Sequence, residues 1–148
     1  MNNKVLLEAA DKFGTPLYIY DSNMIKSQYN RLKQSFKDVK NLQINYAVKA
    51  LSNISILKYM INLGSGIDAV SIQEVKLALK AGVNPKKILY TPNGVSIEEI
   101  KEVSELGVSI NIDNLEVLEQ FGNLNPDIPV CIRINPHIMA GGNSKISV

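Results

Sequence analysis

Val108-Ser109-Ile110-Asn111-Ile112-Asp113 alternates apolar and polar side chains at every step, and Val130-Cys131-Ile132-Arg133-Ile134-Asn135 repeats the pattern. Successive side chains of a strand point to opposite faces, so each segment offers one apolar and one polar face. Strands of a doubly wound sheet are covered by helices on both sides and read as apolar throughout. A face that turns polar toward the C-terminal end suits a parallel barrel, whose chemistry is done at that end.

Outward from these segments, strand and helix alternate. Apolar strands are expected over residues 16–20, 43–49, 66–70, 88–91, 108–112 and 130–135. Between them, Asp21 or Ser22 can cap a helix running to about Phe36, and a second helix from about Asn53 to Leu63 is stopped by Gly64. Ser71-Ile-Gln-Glu74 and Ser96-Ile-Glu-Glu99 are capping-box patterns opening helices that end at Ala81-Gly82 and Gly107, and a further helix runs from about Asn114 to Phe121. The strand ends Lys49, Asp68, Thr91, Asp113 and Asn135 recur at regular intervals. Repeated βα units imply a parallel sheet with right-handed crossovers. The expected class is α/β, a partial (β/α)8 barrel with about five βα units, since a full barrel takes about 250 residues and the chain has 148. An open half-barrel leaves unpaired edges, so the chain is expected to be an N-terminal fragment.

Composition narrows the function. A net charge of +2 is too small to argue for nucleic acid or an acidic membrane surface, and no apolar run is long enough to span a bilayer. The N-terminus places charges too close to its short apolar stretch for a signal peptide. The single cysteine, Cys131, excludes an internal disulfide, and the single histidine, His137, excludes a His-rich metal site. A cytoplasmic protein is expected.

Three residues on the polar face are candidates for chemistry. In residues 43–49, Ile44, Tyr46 and Val48 share one face, while Asn45, Ala47 and Lys49 share the other. Lys49 is either a solvated strand-end lysine or an amine that, partly withdrawn from water, forms an imine with a carbonyl compound. Asp68 ends the next strand and is either a surface or capping acid or a buried one that needs a partner. Arg133 calls for an anionic partner, either a structural ion pair with Asp68 or a bound anion. Glu74 is accounted for by its capping box with Ser71. Gly141-Gly142-Asn143-Ser144-Lys145 lacks the spacing of a phosphate-binding loop and reads as a flexible loop. His137 reads as structural or surface, and Cys131 as packed inside the barrel.

The segment Tyr46-Ala-Val-Lys49-Ala50, followed by Ile56-Leu57, Met60 and Gly64, resembles the pyridoxal-phosphate attachment segment of the fold-type III decarboxylases. These are the diaminopimelate, ornithine and arginine decarboxylases, built on an alanine-racemase-like barrel. Leu63-Gly-Ser-Gly-Ile-Asp68-Ala-Val-Ser71 with Glu74 is similar to the family's second motif. Ala81-Gly-Val-Asn-Pro85 with Lys87-Ile-Leu-Tyr-Thr91 resembles its third strand, Ile132-Arg133-Ile-Asn-Pro136 its fifth, and Thr15-Pro-Leu-Tyr-Ile-Tyr-Asp21 its entry strand. The resemblance covers nearly the whole chain, and its wording is closer to diaminopimelate than to ornithine decarboxylase.

The resemblance implies that Lys49 holds pyridoxal 5'-phosphate as an imine, that Asp68 lies beside the cofactor, and that Arg133 reaches the cofactor while pairing with Asp68. It implies decarboxylation of an amino acid, with meso-diaminopimelate giving L-lysine as the leading expectation. It also divides the chain into residues 1–21, a strand that joins a C-terminal β domain, and residues 22–148, the first part of the cofactor-binding barrel. The ring-stacking histidine, the glycine-rich phosphate loop, the glutamate for the pyridinium nitrogen and the substrate residues are expected beyond Val148, with others supplied by a second copy of a homodimer. The chain alone is therefore expected to be inactive. An alanine-racemase-like enzyme, a non-catalytic cofactor-binding homologue and an imine-forming aldolase are the alternatives; retention of Lys49, Asp68 and Arg133 argues against the non-catalytic one.

Overall fold

The computed structural model describes residues 2–134. They fall into two compact units that divide between Leu42 and Gln43.

The first unit carries two helices, α1 (Asn3–Phe13) and α2 (Ser22–Ser35). The Asn2 side chain caps α1 by accepting from the Val5 N–H at 3.0 Å. Asp21 caps α2 as expected, accepting from the N–H groups of Asn23 and Met24 at 2.9 and 3.2 Å. These donors have no acceptor inside the helix, and the Met24 bond is the main cause holding the Asp21 carboxyl below its ordinary range. Residues 16–20, expected as a strand, belong to no ladder among the described residues. Their apolar side chains Leu17, Tyr18, Ile19 and Tyr20 are exposed.

The second unit is a five-stranded parallel sheet: β1 (Asn45–Ala47), β2 (Gly66–Ala69), β3 (Ile88–Tyr90), β4 (Ser109–Ile112) and β5 (Val130–Ile132). Each strand lies beside its predecessor in chain order, joined by α3 (Ile54–Asn62), α4 (Ile72–Lys80), α5 (Ile97–Glu105) and α6 (Leu115–Leu124). The order never reverses, as it would at the switch point of a doubly wound sheet. Stepwise parallel addition of this kind is that of a partial (β/α)8 barrel.

Register makes the two faces explicit. Ala69, Tyr90, Ile110 and Val130 are neighbours across four strands. With Ile67, Ile88 and Ile112 they join Leu57, Val75, Ile100, Val103 and Phe121 of the helices in one apolar cluster. The other face carries the row Ala47, Asp68, Leu89 and Ser109, followed on β4 and β5 by the pair Asn111 and Cys131. Asp68, Leu89 and Asn111 are half-buried, while Ser109 and Cys131 are exposed. Cys131 lies on the barrel's inner face as expected, but nothing among the described residues packs it away from solvent.

Gly66 fits β1 against β2. A Cβ there would collide with the Asn45 Oδ1 and would lie 2.7 Å from the Gln43 Nε2 and 2.8 Å from the Lys87 carbonyl oxygen. The Ser71 and Ser96 hydroxyls cap α4 and α5, accepting from the N–H groups of Glu74 and Glu99 at 3.3 and 3.2 Å. Asn53 and Asn114 cap α3 and α6 in the same manner. Each of the strands β1 to β4 therefore runs into a helix whose start is fixed by a side chain, and the strand's C-terminal end is held at a defined place on the rim.

Candidate active site

β1 ends at Ala47, short of the lysine that the sequence places on the strand. Residues Val48–Ala50 form one turn of 3-10 helix, closed by the Leu51 N–H bonding to the Val48 carbonyl at 3.0 Å. Val48 is fully buried in the core, so the chain turns there and Lys49 emerges just past the strand, exposed. The Tyr46 hydroxyl donates to the Leu51 carbonyl at 3.2 Å. The backbone is thereby tied on both sides of Lys49. Its amine is presented at the C-terminal rim from a braced turn rather than from a free loop.

Asp68 lies beside Ala47 on β1 and Leu89 on β3. Its carboxylate Oδ1 accepts from the Thr91 hydroxyl at 2.8 Å. The Thr91 N–H in turn bonds to the Ala69 carbonyl at 2.7 Å, so Thr91 grips β2 by both backbone and side chain. The expected Asp68–Arg133 ion pair is not formed. Arg133 follows β5, with β3 and β4 between it and β2, and three strand spacings amount to roughly 14 Å of sheet. Arg133 is exposed; its own N–H extends the β4–β5 ladder to the Ile112 carbonyl at 2.8 Å. Between Thr91 and Arg133 lies Asn111, whose enclosed Oδ1 has no hydrogen-bond partner among the described residues.

Glu74 behaves as a cap, its carboxylate accepting from the Val70 N–H at 2.8 Å. Glu99 does something the capping-box reading does not foresee. Its Oε1 leaves its own helix start and accepts from the Tyr90 hydroxyl at 2.6 Å and from the Ile72 N–H at 3.1 Å. Burial, with the Glu99 carboxylate adjacent, raises the Tyr90 phenol above the ordinary tyrosine range, so it remains a donor. Neither Thr91 nor Glu99 stands out in the sequence as a site residue. The one legible sign was that Thr91 ends its strand in step with Asp68. Asn135, His137 and the loop 141–145 lie outside the described residues.

Among the described residues no group of acidic, histidine or cysteine side chains could hold a metal ion, and no helix is long and apolar enough to cross a membrane. What the C-terminal rim does carry is an exposed primary amine, a carboxylate fixed by a hydroxyl, an amide oxygen in need of a donor, and an exposed guanidinium. An amine condenses with an aldehyde, and a guanidinium suits a carboxylate or phosphate.

Residues 22–148 match the model of the pyridoxal-dependent decarboxylase family, pyridoxal binding domain. Over 137 residues the chain is 39% identical to a diaminopimelate decarboxylase of Methanothermobacter thermautotrophicus, covering 91% of this chain and 32% of that protein. It is 42% identical over 141 residues to the diaminopimelate decarboxylase of Campylobacter jejuni, covering 92% and 35%. The crystal structure of diaminopimelate decarboxylase from Helicobacter pylori complexed with L-lysine superposes with a TM-score of 0.82 at 36% identity, over 97% of this chain and 37% of that one. That of lysine/ornithine decarboxylase from Vibrio vulnificus complexed with putrescine gives 0.79 at 25% identity, over 88% and 36%. The chain spans about a third of the length of the curated relatives it matches.

Proposed function

The chain belongs to the pyridoxal-dependent decarboxylases through their pyridoxal-binding domain, and we propose that it is the lysine-bearing part of an enzyme that converts meso-diaminopimelate to L-lysine and CO2. The observation that carries this reading is the braced turn presenting Lys49 at the C-terminal rim, beside the strand that bears Asp68. The diaminopimelate decarboxylases among its relatives supply the substrate.

The residues present fit pyridoxal 5'-phosphate. Lys49 would attach its aldehyde carbon, and the exposed Arg133 would meet its negative charge. The orphaned Asn111 oxygen leaves an acceptor enclosed on the face where the cofactor would lie. When bound, the cofactor supplies an electron sink for the pair left behind by CO2. The protein's part is positional. Lys49 would hold one end of the group, and Thr91 fixes the Asp68 carboxylate on the neighbouring strand. A cytoplasmic location, a homodimeric full-length enzyme, and the joining of residues 1–21 to a β domain belong to the same proposal, on the family resemblance.

The test is CO2 release by the full-length enzyme with pyridoxal phosphate, from meso-diaminopimelate, ornithine and arginine in parallel. Release from diaminopimelate, lost in Lys49→Ala together with borohydride-trapped cofactor on the tryptic peptide, is the expected result. Cofactor trapped at Lys49 with no CO2 from any substrate would replace this reading with a racemase or a non-catalytic binder.

A further inference from the structure

We propose that Glu99, which lies on the helix side of the sheet, is a positioning residue for the cofactor site, acting through the turn between β2 and α4. The proposal rests on the pyridoxal phosphate site described above.

The turn that follows Asp68 is held at Ala69, Val70 and Ile72. The Ala69 carbonyl accepts from the Thr91 N–H at 2.7 Å, and the Val70 N–H donates to the Glu74 carboxylate at 2.8 Å. The Ile72 N–H, first in α4, has no acceptor within its own helix and is taken by Glu99 of the next helix at 3.1 Å. The same Glu99 oxygen accepts from Tyr90, which is fully buried and directly precedes Thr91. A single atom thus ties the turn leaving Asp68 to the strand end that presents Thr91. On the opposite face of the sheet, the Thr91 hydroxyl holds Asp68 at 2.8 Å. The two clasps act across the same pair of strands, one on each face, so a change in Glu99 alters the alignment of Asp68 and Thr91 without touching either.

Both of Glu99's bonds need an oxygen at a set reach, and neither needs a charge. That separates three substitutions in the full-length enzyme. Apoenzyme is titrated with pyridoxal phosphate well below the unfolding temperature, reading the dissociation constant and the circular dichroism of the bound cofactor. Glu99→Gln keeps an oxygen at the same reach and is expected to bind within about twofold of wild type. Glu99→Asp keeps the charge but falls one methylene short, and Glu99→Ala offers no acceptor. Both are expected to raise the dissociation constant about tenfold, equivalent to about 1.4 kcal/mol, and to weaken the cofactor's dichroic band. Wild-type binding and dichroism in Glu99→Asp would overturn the proposal, and the Gln and Asp pair decides it even where Glu99→Ala fails to fold. A wild-type apoenzyme that takes up no pyridoxal phosphate would instead overturn the cofactor reading, and this one with it.

Discussion

Exchanging Thr91 for valine keeps a β-branched side chain in place and removes only the hydroxyl that donates to Asp68 at 2.8 Å. The half-buried carboxylate then loses its donor, a change worth about 1 kcal/mol. Thr91→Val in the full-length enzyme is therefore expected to weaken pyridoxal phosphate binding about fivefold, measured by fluorescence titration of the apoenzyme, with the unfolding midpoint little changed. Gly66→Ala should do the reverse, leaving the site's side chains alone and costing stability. The Lys87 carbonyl that a Cβ would meet at 2.8 Å is backbone and cannot swing away. The expected loss is about 1–3 kcal/mol, read as a lower urea midpoint. The identity of Lys49 as a rim residue was legible from its place at the end of an alternating stretch. Its exposed turn was not, because the burial of Val48 that ends the strand depends on helices elsewhere in the chain. The Asp68–Arg133 pair failed for a similar reason: sharing a face does not fix how many strands stand between two residues.

At the level of elements, helix starts were the most readable feature. Asp21, Asn53, Ser71, Ser96 and Asn114 all cap where a short polar side chain precedes an apolar run. Such a cap is a local chemical fact and needs no tertiary context. α1 is the exception: Val5, Leu6, Ala9, Ala10 and Phe13 fall at helical spacing, inside the stretch 1–21 that the resemblance assigns to an entry strand. Strand ends were harder, because leaving a ladder depends on the neighbouring strand. The stretch 16–20 is apolar enough for a strand but has no partner among the described residues. The cap of α2 also carries a pH dependence. The Asp21 carboxyl is lowered chiefly by the Met24 N–H, so its contribution is present above the unfolded carboxylate pKa of about 4 and is lost as pH falls through the lower folded value. Amide protection at Asn23 and Met24, taken relative to the intrinsic exchange rate at each pH, should fall on acidification in the wild type. In Asp21→Asn, which caps without titrating, it should show no such step.

For the molecule as a whole, the barrel was readable because chemistry and packing use opposite faces, and that division is written into single strands. The reaction was legible only through the family resemblance of motifs such as residues 46–50, since the chain spans about a third of its relatives' length. Residues 1–148 expressed alone are accordingly expected to release no CO2 from meso-diaminopimelate under conditions where the full-length enzyme turns over; measurable release would show that the remaining two thirds are dispensable.

The strict separation of the two sheet faces also bears on how such a protein can change over time. Strands β2 and β4 offer natural selection two ledgers in alternate letters. Ile67 and Ile110 answer to whether the protein accumulates at all, whereas Asp68 and Asn111, on the proposed site, answer to what it does once made. A saturation library scored separately for abundance and for growth without lysine should show this as a two-residue rhythm along β2 and β4. New substrates can then be explored on one letter of each pair while the other keeps the fold.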